Sequence, residues 1–256
     1  MTLISAQAAV PTDESPTLAK IKARGELRVG LEAGYMPFEM RDKSGELIGF
    51  DIDLAKLMAR KLGVKVTVVN QAWDGIIPAL LTDKFDVLMG GMTITPERAE
   101  RVDFCDPYLT IGQTVLLRAN LKDRIKSHKD LDTPEFTVLS KLGTTGEIAT
   151  RKAFKRAKIR TFEHEADAAI EVRNGRADGF VYDLPFNAVM AAQNPKSLVH
   201  LHEPFTREDL GWAIRKNDPA LRAWLNEFLA GLKKDGRYQA LYKKWFESNA
   251  WLANVN

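Results

Sequence analysis

Phe85-Asp86-Val87-Leu88-Met89-Gly90-Gly91-Met92-Thr93-Ile94-Thr95-Pro96-Glu97-Arg98 runs from an apolar strand, through a glycine pair, to a polar stretch that carries an arginine. The carboxyl end of a strand is where open α/β sheets bind their ligands, and Gly91, having no side chain, permits close backbone approach there. Upstream the signals alternate. Residues 73–81 read as a helix entered beside Asp74 and Pro78, and 64–69 as a β-branched strand. Before them, Phe50, Leu54, Leu57, Met58 and Leu62 keep helical spacing up to the stop at Gly63, 27–31 read as a strand, and 17–24 as a helix ending at Gly25. Such alternation indicates a mostly parallel sheet with helices on both faces.

Downstream the pattern restarts after Arg118, with strands at 136–139 and 179–182 and a helix opening near Thr144. Gly211-Trp212-Ala213-Ile214-Arg215 reads as a strand, followed by amphipathic helices at 219–235 and 238–248 that Gly236 separates. A break near Gly112 and a turn at Glu203-Pro204 bracket the second unit, so the chain is expected to leave one lobe, build another and return. The boundaries expected are a leader over 1–16, a first lobe over 17–112 plus 206–256, and a second lobe over 113–205.

Composition excludes several function classes. The 256 residues carry a net charge of +3 from 37 basic and 34 acidic side chains, spread along the chain, so no basic stripe argues for nucleic acid. The single cysteine, Cys105, rules out an intrachain disulfide and a thiolate metal cluster. His200 and His202 could share a strand face, but no third ligand is evident, and no metal or cofactor is expected. No run approaches the roughly 20 apolar residues that span a bilayer. The start, Met1 to Val10 (MTLISAQAAV), contains Ala6-Gln7-Ala8, a small-x-small cleavage pattern, and reads as the tail of a trimmed export signal. A periplasmic location is the expectation. No Ser-His-Asp order or Gly-rich phosphate loop is found, so the chain is not expected to be an enzyme.

The stretch from Gly90 to Arg98, followed by Val102-Asp103-Phe104-Cys105-Asp106-Pro107-Tyr108, then Gly143-Thr144-Thr145-Gly146, then Tyr182-Asp183, occurs in this order with Tyr35-Met36-Pro37-Phe38 and Gly49-Phe50-Asp51-Ile52-Asp53 before it. Together these resemble the polar amino-acid-binding subunits of bacterial ABC importers, the extracellular solute-binding proteins of family 3. The resemblance covers about residues 27–246. It implies an α/β, two-lobed periplasmic binding protein fold of type II, each lobe a mixed, mostly parallel sheet flanked by helices, joined by two hinge segments. It also implies a monomer that closes on a free L-amino acid and hands it to permease subunits.

A free amino acid presents a carboxylate and an ammonium at fixed separation, so a selective site needs planar donors for one and an anionic acceptor for the other. The resemblance assigns these to Arg98 and Asp183. A guanidinium holds a carboxylate through two parallel hydrogen bonds, which a lysine ammonium does not reproduce. A surface arginine among Glu97, Glu100 and Arg101 is the other reading of Arg98, and an N-cap for the following helix the other reading of Asp183. Thr144 and Thr145 precede a helix and suit either capping or an anion, with Thr145 implied for the carboxylate opposite Arg98. The Gly91 carbonyl and Thr93 hydroxyl match further contacts, and Tyr35 and Trp73 match aromatic positions that sandwich the ligand's aliphatic part.

The resemblance places Glu32 and Lys141 at the ligand's side chain, and selectivity is expected from these two. An ammonium near the ligand's tail disfavours a cationic side chain, whereas a Glu32 and Lys141 pair offers a carboxamide one acceptor and one donor. Glutamine or a similar polar amino acid is therefore expected first, glutamate second and basic amino acids last. The rivals are a cyclohexadienyl-dehydratase-like enzyme on the same fold and a ligand-sensing module.

Overall fold

The computed structural model describes residues 15–255, so the export-signal reading of residues 1–10 lies outside the described residues. Ser15 and Pro16, which the sequence placed in the leader, are part of the fold. The Ser15 hydroxyl accepts from Leu18 N–H at 3.0 Å and donates to Asp218 Oδ2 at 2.9 Å, capping α1 (Pro16–Arg24). Pro16 occupies the first helical turn, where a missing N–H is harmless.

From there β1 (Glu26–Leu31), the short pair β2 (Met40–Arg41) and β3 (Leu47–Ile48), α2 (Phe50–Leu62), β4 (Lys65–Asn70), α3 (Ile76–Leu81), β5 (Val87–Leu88), α4 (Pro96–Ala99) and β6 (Asp103–Phe104) follow one another. β7 (Leu109–Ile111) leads into β8 (Gln113–Arg118), β9 (Thr137–Lys141), α5 (Thr145–Ala153), β10 (Lys158–Phe162), α6 (Glu165–Arg173), β11 (Gly179–Asp183), α7 (Leu184–Gln193) and β12 (Leu198–His200). β13 (Glu208–Leu210) brings the chain back to β14 (Ala213–Ile214), α8 (Pro219–Lys234) and α9 (Arg237–Tyr242).

Two five-stranded sheets result. The first has the order β4-β1-β5-β14-β6, parallel across β4, β1 and β5 and antiparallel where the returning β14 slots in. In the second, β10-β9-β11-β8-β12, the strands β10, β9 and β11 are parallel, and β8 and β12 are each antiparallel to a neighbour. Away from the partly exposed edge strands β4 and β10, each sheet is buried on both faces. Val87 packs into the large core with Phe50, Leu54 and Phe228, while its neighbour Leu88 points the other way to Ile76, Leu80 and Phe85. The same alternation sends Val115 and Leu117 to one side of the second sheet and Leu116 to the other.

Between the sheets, β7 pairs antiparallel with β13, Ile111 opposite Glu208 and Leu109 opposite Leu210. Gly112 sits at this crossing because a Cβ there would lie 2.1 Å from the Thr206 carbonyl oxygen. Two expected helices differ in detail. Trp73–Gly75 forms a 3-10 turn and the α-helix starts at Ile76, since Pro78 offers no N–H to the Asp74 carbonyl. The helix expected over 238–248 is α-helical only to Tyr242 and widens to a π-turn over Lys243–Glu247, where the Trp245 indole donates to Asp53 Oδ2 at 2.9 Å.

Candidate ligand-binding site

The carboxyl ends of the parallel strands from both sheets converge on one cleft. Glu32 follows β1, Trp73 follows β4 and Gly90-Gly91 follow β5; from the other lobe, Lys141 ends β9, Glu165 follows β10 and Asp183 ends β11. All ten residues singled out by sequence, Glu32, Tyr35, Trp73, Gly91, Thr93, Arg98, Lys141, Thr144, Thr145 and Asp183, line a single pocket with an empty volume of about 380 Å³. Glu39, Gly90 and Tyr182 complete its walls.

Arg98 is not an outward-facing surface residue. Thr95 caps the short helix α4 by accepting from Arg98 N–H at 3.2 Å, and the guanidinium turns back to donate from Nη1 to the Thr93 carbonyl at 2.9 Å. Nη2 reaches the Gly143 carbonyl of the opposite lobe at 3.5 Å, and the guanidinium carbon lies 5.4 Å from the centre of the Trp73 ring. Burial draws the Arg98 pKa down while Glu208 and Asp183 push it back up. The Trp73 indole also bridges the lobes, donating to Gly143 O at 3.1 Å.

Thr144 caps α5, its hydroxyl accepting from Glu147 N–H at 3.3 Å and donating to the Lys141 carbonyl at 2.8 Å. Its hydroxyl therefore serves the helix. Thr145 points across the cleft, with its hydroxyl 3.4 Å from that of Thr93, which in turn donates to Glu208 Oε2 at 3.0 Å.

Asp183 begins α7 but makes no side-chain capping bond. Its carboxylate instead accepts from the Tyr35 hydroxyl and from Gln113 Nε2. It is 6 % exposed, and burial raises its pKa to about 7 against the lowering effect of the Tyr35 hydrogen bond. Tyr35 is held by stacking on Phe38, with ring centres 4.5 Å apart, and lies so close to Gly91 that a Cβ there would meet its ring at 2.3 Å. With φ at +64°, residue 91 is doubly restricted to glycine.

At the far end, the Lys141 ammonium donates to Glu32 Oε2 across the cleft and to Glu165 Oε2 on its own lobe at 2.6 Å. Glu165 and Glu39 escaped the sequence reading. Glu163-His164-Glu165 looks in sequence like a solvated helix start, and Glu39 stands one residue past the quoted Tyr35 to Phe38 motif. Glu39 is 1 % exposed, and its Oε2 has no hydrogen-bond partner among the described residues. Burial first, and Asp51 second, push its pKa well above the usual carboxylate range. Among the described residues no group of histidine, cysteine and carboxylates is arranged to hold a metal ion, and no helix is long and apolar enough to cross a membrane.

Two α/β lobes joined by a crossed strand pair, with charged residues of both lobes facing one cleft, define a type II binding protein. The sequence matches the bacterial extracellular solute-binding proteins, family 3, over residues 27–248, and the chain belongs to that family. It is 33% identical over 229 residues to the L-cystine-binding protein TcyJ of Escherichia coli strain K12, covering 90% of this chain and 85% of that protein. A putative binding component of an ABC transporter from Wolinella succinogenes, solved in complex with lysine, is 52% identical with a TM-score of 0.87, over 90% of this chain and 99% of that one. The ancestral amino acid-binding protein AncCDT-1, a precursor of cyclohexadienyl dehydratase, is 53% identical with a TM-score of 0.85, again over 90% and 99%.

Proposed function

We propose that this protein is a periplasmic carrier that closes on one free L-α-amino acid with a polar side chain and presents the closed form to the permease subunits of an ABC importer. The observation that carries the reading is the meeting of Arg98, Thr93 and Thr145 with Asp183 in one pocket fed by both lobes. Arg98, supported by the Thr145 hydroxyl and the amino-terminal end of α5, suits the ligand's carboxylate. Asp183, with the Gly91 carbonyl, suits the ammonium. In this reading the ligand is released unchanged, and Tyr35 and Trp73 cover its aliphatic part.

A ligand that touches Arg98 on one lobe and Thr145 and Asp183 on the other stabilises the closed state through contacts that exist only there. Thermal-shift screening of the twenty amino acids tests the proposal directly. A ligand at about 100 times its dissociation constant stabilises by about 2.7 kcal/mol, a shift of several degrees. A melting temperature unmoved by every amino acid at millimolar concentration would refute it.

Asp183 adds a pH dependence. An ammonium is attracted to its ionised form, and its pKa near 7 means that ionisation is incomplete below neutrality. Affinity is therefore expected to rise with pH up to about 7, by as much as about tenfold per unit, and then to level off. Calorimetric titrations from pH 5 to 8 would show this slope together with proton release on binding at mildly acidic pH.

A further inference from the structure

Lys141 read alone makes the far end of the pocket cationic, which is why a basic ligand ranked last from sequence. The ammonium is in fact enclosed. Its side chain is 2 % exposed, between Glu32 at 11 % and Glu165 at 4 %. Burial would pull the Lys141 pKa down, yet Glu165 and Glu32 outweigh it and hold the ammonium above its ordinary range, so the lysine stays charged. Burial and Asp51 disfavour a further charge on Glu39. His164 Nδ1 lies 3.7 Å from Glu32 Oε1 on an exposed ring and contributes only when protonated. One ammonium between two carboxylates leaves an excess of one negative charge.

The space beyond points the same way. A second cavity, with an empty volume of about 440 Å³, adjoins the first through Glu32 and Trp73, and its walls add Asp74, Glu163 and His164. A side chain long enough to pass Trp73 therefore ends among carboxylates, with an indole face alongside its path.

Resting on the amino-acid-binding reading above, we infer that Glu165 is a specificity-determining residue, which positions and neutralises Lys141 so that the pocket selects an amino acid with a long cationic side chain. Glu165 acts through Lys141 and through the field at the tail. Without it, Glu32 and Lys141 would form the balanced pair suited to a carboxamide, so one carboxylate separates two ligand classes.

Calorimetric dissociation constants for lysine, arginine, glutamine and glutamate on the wild type, Glu165→Gln and the double variant Lys141→Met/Glu165→Gln test this. The wild type is expected to bind lysine or arginine at least about tenfold more tightly than glutamine. In Glu165→Gln that ratio falls by about tenfold or more. In the double variant, where Glu32 alone supplies the charge, it recovers, which a merely structural role for Glu165 would not produce. A wild type preferring glutamine or glutamate, an unchanged ratio in Glu165→Gln, or no recovery in the double variant each overturns the assignment while leaving amino-acid binding standing. A wild type that binds none of the four, or any other amino acid, overturns both.

Discussion

Arg98→Ala is expected to weaken amino-acid binding by at least about a hundredfold while moving the ligand-free melting temperature by only a few degrees. The asymmetry follows from what the guanidinium touches. Within the protein it donates to one carbonyl at 2.9 Å and a second, across the cleft, at 3.5 Å, and it packs over Trp73. Such contacts contribute on the order of 1–2 kcal/mol to stability, which in a chain of this size moves the melting temperature by a few degrees. Toward a ligand it supplies paired, charge-assisted hydrogen bonds in a desolvated cleft, and truncating one side of such a pair costs about 2–5 kcal/mol because the buried carboxylate is left without its partner. Arg98→Lys should fall between the two, since a single ammonium restores the charge without the fork. Calorimetry and thermal melts on both variants check the expectation. Binding unchanged in Arg98→Ala would show that another group holds the carboxylate.

Much of the fold was readable because its elements are locally coded. The alternating β1, α2 and β4 carry their own periodicity, and Gly25 and Gly63 end their helices in the left-handed conformation that favours glycine. β8, β10 and β12 were harder to see. Gln113–Arg118 and Lys158–Phe162 mix polar and apolar residues, and their strand character comes from neighbours distant in sequence. The hinge pair β7 and β13 has only three residues on each side and joins positions about 100 residues apart, which no local pattern encodes.

The site divides along the same line. Arg98, Asp183 and the threonines lie in motifs whose order along the chain placed them together. Their alternatives were decided by geometry: Thr144 does cap its helix, whereas Asp183 leaves α7 uncapped and faces the cleft. Glu165 stayed hidden because its importance arises from a contact with Lys141, 24 residues earlier, and through it with Glu32 in the other lobe. A charge read from sequence gives the sign of one side chain. The sign of a pocket depends on what folding brings beside it.

Asp183→Asn is expected to abolish tight binding yet raise the stability of the ligand-free protein, with the gain growing as pH rises. The side chains are nearly isosteric. The carboxamide oxygen would still accept from Gln113, and the Tyr35 hydroxyl oxygen would accept from the new amide. What disappears is the buried charge. Asp183 titrates at about 7 in the fold and near 4 in an unfolded chain, so between those values the native state holds a proton that the unfolded state has released. With more protons bound in the native state, stability falls as pH rises from about 4 to about 7 and is level above. The wild type thus carries a penalty on the order of a few kcal/mol at neutral pH, absent near pH 4, which the variant avoids. Binding reverses the balance, because the ligand's ammonium compensates the carboxylate and the amide offers it no charge; the loss in affinity is at least about a hundredfold. Melts of both proteins from pH 4 to 8, with and without amino acid, separate the two effects. A variant that gains no stability over that range would show that the carboxylate is already compensated within the fold, and its role as the acceptor for the ammonium would fail with it.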